Sequence, residues 1–128
     1  MAKSRKTVQE DLLFEVAFFE GVLRHSPDFV EAMVALAEIY TLQGEHEKGL
    51  KLDQRLAGIR PDDPVILYNL ACSLSLMQDV PGAFEIMKRA VACGYDDFRH
   101  LEKDQDLMNL LTDDGFQEYY RALKGTSA

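Results

Sequence analysis

The chain has 128 residues, 47% of them hydrophobic, which suffices for one domain with a modest core and argues against wholesale disorder. Fourteen basic residues against twenty-two acidic ones give a formal net charge of -8, which disfavours nonspecific attraction to phosphate backbones and anionic lipid, so neither nucleic acid nor membrane is expected as a partner. The opening MAKSRKTVQED has no apolar core or small-residue cleavage site, no run approaches a membrane span, and Cys72 and Cys93 have no metal-ligand spacing. A cytoplasmic chain with two reduced, structural thiols is the expectation.

In chain order, residues 7 to 25 place Val8, Leu12, Val16, Phe19 and Leu23 at spacings of three and four, one face of a helix. The same reading continues through 28 to 43 and 46 to 59. Gly44 reads as a helix stop, because glycine tolerates the left-handed backbone, and Pro27, Pro61 and Pro64 punctuate the helical runs. Asp79 before Val80 and Pro81 reads as an N-cap with proline in the first turn. The tail GYDDFRHLEKDQDLMNLLTDDGFQEYYRALK keeps the apolar pattern through Phe98, Leu101, Leu107, Leu110, Leu111 and Phe116. Nothing alternates with period two for long, and the turns are short. At least five helices, successive ones antiparallel and no sheet, are predicted.

LAEIYTLQGEHEKGL, residues 36 to 50, is rewritten 34 positions later as LACSLSLMQDVPGAF, residues 70 to 84. The same interval separates Pro27 from Pro61, Ala37 from Ala71 and Gly49 from Ala83. Met33, Leu36, Ala37, Tyr40, Gly49 and Pro61 fall where the tetratricopeptide repeat places large, leucine, small, aromatic, small and proline, so the chain resembles that family. Leu67, Leu70, Ala71, Leu74, Ala83 and Met87 form a second copy. The resemblance implies an all-α fold: antiparallel helix pairs stacked as a short right-handed superhelix. Within a single domain, 1–128, it gives an N-terminal half-repeat helix (1–26), repeats at 27–60 and 61–95, and a C-terminal helical cap (96–128) that shields the last face from water. Asp53 stands where the family prefers a large apolar residue. A slight rotation of that helix would let Leu52, Leu56 and Ile59 form the buried stripe and leave Asp53 to solvent.

Candidate chemistry is thin. The acidic residues Asp96, Asp97, Glu102, Asp104, Asp106, Asp113 and Asp114 lack the ligand spacing and central glycine of a calcium loop. His25, His46 and His100 form no metal pair, and there is no phosphate loop or nucleophile elbow. No enzyme activity, metal or cofactor is expected.

The resemblance implies instead a protein-binding module, because the first helix of each pair in such a stack lines a concave groove. Its contact set would be Glu31, Val34, Glu38 and Leu42 in the first repeat and Val65, Tyr68, Asn69, Cys72 and Leu76 in the second. Tyrosine and asparagine suit an extended peptide or a partner helix, and the two glutamates favour a basic segment. Relatives that clamp C-terminal carboxylates carry lysine and asparagine where this chain has Val34 and Glu38, so that ligand is disfavoured although Asn69 matches. Two other roles share the fold: a self-associating structural module and a small chaperone of the secretion type. Self-association has its own signal, since Phe14 and Phe18 form a second apolar face beside the first helix's packing stripe, which fits either a homodimer through that helix or a broad intramolecular core with an irregular N-terminus.

Overall fold

A computed structural model describes residues 5–126. Among them there is no strand; eight α-helices and one 3-10 turn account for the regular structure: α1 (Arg5–His25), α2 (Val30–Leu42), α3 (His46–Ile59), α4 (Pro64–Leu76), α5 (Val80–Ala92), α6 (Phe98–Lys103), the turn Gln105–Leu107, α7 (Met108–Leu111) and α8 (Asp114–Thr126). The chain divides into two compact units, one ending at Pro61 and the other starting at Asp62. Neighbouring helices pack in pairs within each unit.

The punctuation seen in the sequence sets the helix ends. After α2, Gly44 takes φ 79° while Glu45 N–H donates to the Tyr40 carbonyl at 2.8 Å, closing a left-handed cap. Gln78, 34 positions on, repeats the device with φ 65°, and Asp79 N–H reaches the Leu74 carbonyl at 2.9 Å. A non-glycine residue there carries a steric cost that Gly44 avoids. Val30 and Pro64, the first residues of α2 and α4, are also 34 apart, as are Leu42 and Leu76, the last. The recurrence read from side chains is thus present in the backbone as well.

In the first unit, α2 is the central helix and packs on both α1 and α3. It buries Met33, Leu36, Ala37, Ile39 and Tyr40, whereas no described side chain of α1 is fully buried. A Cβ on Gly49 of α3 would meet Thr41 Oγ1 at 3.2 Å, a tight contact, and the Ala37 carbonyl at 3.5 Å, an ordinary one, so the two helices approach closely there. The burial of Asp53 corrects the expected rotation of α3. Asp53 belongs to the same stripe as Gly49, Leu52 and Leu56; it is buried, 5% exposed, and is not without a partner, while Ile59 is exposed.

In the second unit α4 and α5 form the pair, and the tail wraps them. The 3-10 turn and α7 pack on α4, and α7 also meets α5 and α8. Phe116 of α8 is buried in an aromatic cluster, edge-on to Phe84 of α5 at 5.6 Å and stacked on Tyr120 at 5.8 Å. Asp63, Asp79, Asp97, Asp104 and Asp113 each accept a backbone N–H at the start of a helix or turn. Much of the acidic character of this half therefore sits at helix N-termini, where a carboxylate stabilises the free N–H groups.

The two glycines of α3 give a paired test. Gly58→Ala, with open space around the new methyl, should raise stability by up to about 1 kcal/mol through helix propensity. Gly49→Leu should lower it by about 1–3 kcal/mol, the cost of overpacking. Urea unfolding of both variants measures the difference.

Candidate functional site

Of the residues expected to contact a partner, those on α2 are placed on the surface. Glu31 and Glu38 are exposed, Leu42 is 74% exposed and Val34 is half-buried. They follow one another at helical spacing on the side of α2 opposite the buried Leu36 and Tyr40. On a helix otherwise so thoroughly covered, this acidic and aliphatic stripe is the part left for contact.

On α4 the outcome differs. Val65 is exposed, and Asn69 and Leu76 are half-buried, but Tyr68 and Cys72 are inside, with Tyr68 only 4% exposed. The protein's own tail occupies the face that the sequence offered to a ligand. Tyr68 O–H donates to Asp104 Oδ2 at 2.6 Å, and Cys72 Sγ lies 3.7 Å from the same oxygen. His100 Nε2 is 3.2 Å from it, and the Tyr68 ring stacks on Tyr95 at 4.3 Å. One turn further along α4, buried Ser75 accepts Leu110 N–H on its hydroxyl at 3.3 Å, and its carbonyl accepts Asn109 Nδ2 at 2.9 Å. Tyr68, Cys72 and Ser75 are therefore a row of polar notches filled by Asp104, Asn109 and Leu110. This corrects the assignment of Tyr68 and Cys72 to an open contact face.

The hub has defined electrostatics. Burial is the main reason the Tyr68 hydroxyl is pushed far above its ordinary value, with Cys72 and the bond to Asp104 adding to it. Burial likewise pushes the Cys72 thiol up, seconded by the Asp104 charge, so the thiol is held neutral and is a poor nucleophile. Among the described residues no cluster of His, Cys, Asp and Glu could hold a metal ion.

On α1, Phe14 is 74% and Phe18 56% exposed, with Leu13 and Ala17 exposed beside them. The helix meets α2 through Leu12, Val16, Phe19 and Leu23, all half-buried, which leaves the second apolar face uncovered within its own unit.

Two grooves, neither read from the sequence, follow α1. One, of about 490 Å³, is lined by Leu12, Leu13, Val16 and Leu42 with Tyr40 and Lys48. The other, of about 520 Å³, lies between α1 and α3 over Leu36 and Tyr40 of α2, and includes Arg24, Lys48, Lys51 and Arg55. The signal for the second was present in the sequence: Lys48, Lys51 and Arg55 recur at spacings of three and four, one face of a helix in an acidic chain.

No protein-family model matches the chain. Over 74 residues, 56% of its length, it is 28% identical to a chloroplastic protein of Arabidopsis thaliana. The chain spans about a fifth of that protein, 22% of its length, and no helix among the described residues is long and apolar enough to cross a membrane.

Tyr68→Phe tests the hub. Losing a hydrogen bond to the half-buried Asp104 carboxylate should cost about 1.5–3 kcal/mol at neutral pH. Because the folded-state pKa of Tyr68 is raised, its contribution is fully present below the unfolded tyrosine value of 10.0 and is lost as pH rises above it. Tyr40 and Tyr95, each held at about 12, act in the same sense. Wild-type stability should fall between pH 10 and 12, and Tyr68→Phe should fall less steeply when both are unfolded in urea across that range.

Proposed function

We propose that this chain is a non-catalytic protein-interaction module of the tetratricopeptide-repeat kind, holding a basic segment of a partner protein against the exposed stripe of α2. The observation that carries the reading is the stripe itself: Glu31, Glu38 and Leu42 stay exposed on a helix whose other sides are buried. The 34-residue recurrence of helix boundaries and left-handed caps supports the family assignment. Val65, Asn69 and Leu76 of α4 remain candidate contacts, whereas Tyr68 and Cys72 serve the docking of the tail. A fluorescein-labelled peptide of alternating lysine and leucine is the probe. Glu31→Lys with Glu38→Lys should weaken its binding about tenfold or more, and the difference should shrink as salt is raised from about 0.05 to 0.5 M, where the Debye length shortens severalfold. Equal binding by wild type and the double variant would rule the stripe out.

A second reading, self-association through α1, is favoured by the exposure of Phe14 and Phe18. An isologous pairing covers both copies of the patch at once, and each buried phenylalanine contributes roughly 1.5–3 kcal/mol. Sedimentation should find a wild-type dimer in the micromolar range and helical monomers for Phe14→Glu and Phe18→Glu. A wild-type monomer throughout that range removes the stable homodimer.

A further inference from the structure

We infer that the groove between α1 and α3 is a second docking site, selective for an acidic segment carrying apolar anchor side chains. It lies on the side of α2 opposite the Glu31 and Glu38 stripe, so it is a separate surface with the opposite charge preference. Its floor is apolar, built from Leu23, Leu36, Leu52 and the ring of Tyr40. Its walls bring together four cations, Arg24 from α1 and Lys48, Lys51 and Arg55 from α3, in a chain whose net charge is -8.

The single carboxylate in the lining, Glu20, offsets one of the four charges and leaves a cationic excess; it accepts the Tyr40 O–H at 2.7 Å, which links α1 to α2. Arg55 donates to the Pro27 carbonyl at 2.8 Å and has a 3.9 Å contact to the exposed Asp28. Lys48 sits over the Tyr40 ring, 5.6 Å from its centroid, and Lys51 has only a 3.9 Å contact to Glu47 between exposed side chains, worth little in water. Among the described residues neither Arg24 nor Lys48 is in an ion pair. Two cations without an ion pair and two with only long, exposed ones, set around an apolar floor, suit a ligand that supplies both carboxylates and apolar anchors, namely aspartates or glutamates flanking leucine or phenylalanine. Nucleic acid lacks the aliphatic anchors, and the charge of the whole chain opposes it.

The test uses the full chain and a fluorescein-labelled twelve-residue peptide, EELDFEELDLEE, followed by fluorescence anisotropy, with a polyglutamate peptide of equal charge as control. Wild type should bind the first about tenfold or more tightly than polyglutamate. Lys48→Glu with Lys51→Glu should weaken that binding at least about tenfold while leaving helical circular dichroism and binding of the lysine–leucine probe unchanged. Since both lysines lie at the surface, folding is not at stake, and Arg24→Glu checks the α1 wall independently. Three outcomes overturn the proposal: no binding of EELDFEELDLEE by wild type, equal affinity for polyglutamate, or binding indifferent to the charge reversals. A fourth does so by reassigning the site: recruitment to phosphatidylserine vesicles that the same reversals abolish, without peptide binding.

Discussion

At Gly49 the backbone of α3 lies against the Ala37 carbonyl and the Thr41 hydroxyl of α2, at a separation that a methyl group would already strain. This glycine lies on the side of α3 that faces inward. Gly49, Leu52, Asp53 and Leu56 are carried into the interior together, and Lys48, Lys51 and Arg55 are left along the groove. A buried carboxylate and a cationic wall are therefore neighbouring faces of one helix. Ala83 of α5, 34 positions beyond Gly49, is likewise fully buried.

The helices were legible because each is bounded by chemistry that acts locally. Gly44 permits the left-handed cap, Asp79 accepts a backbone N–H, and apolar residues at spacings of three and four mark the buried faces. Residues that depend on distant parts of the chain were not legible. Tyr68 and Cys72 read as a contact face because the sequence does not show that Asp104, more than thirty residues away, folds onto them. Asp53 read as solvent-facing because desolvating a carboxylate is costly, and the sequence does not show the interaction that it makes once α3 is packed. The cationic groove was partly visible in the spacing of Lys48, Lys51 and Arg55, but Arg24 joins it only through the packing of α1 on α2.

The two units hold their helices by different means. Side-chain caps from Asp63, Asp79, Asp97 and Asp113 start α4, α5, α6 and α8 of the second unit, whereas the residues preceding α2 and α3, Phe29 and Glu45, make no such hydrogen bond. The first unit depends correspondingly more on burial along α2 and on the Tyr40 to Glu20 bond. Its candidate surfaces, the acidic stripe and the cationic groove, occupy opposite sides of that one well-packed helix. A central helix held this firmly can present both with little reorganisation on binding.

The tail's attachment to α4 also has a kinetic consequence. The bonds from Tyr68 to Asp104 and from Ser75 to Asn109 and Leu110 close loops of more than thirty residues, while the helix pairs themselves form from neighbours in the chain. Loop closure costs entropy before any contact rewards it, so local helix pairing precedes tail docking as the chain folds. Until the tail arrives, α4 shows water the polar notches of Tyr68, Cys72 and Ser75. In any state with the tail undocked the face its sequence advertises is open, and docking closes it.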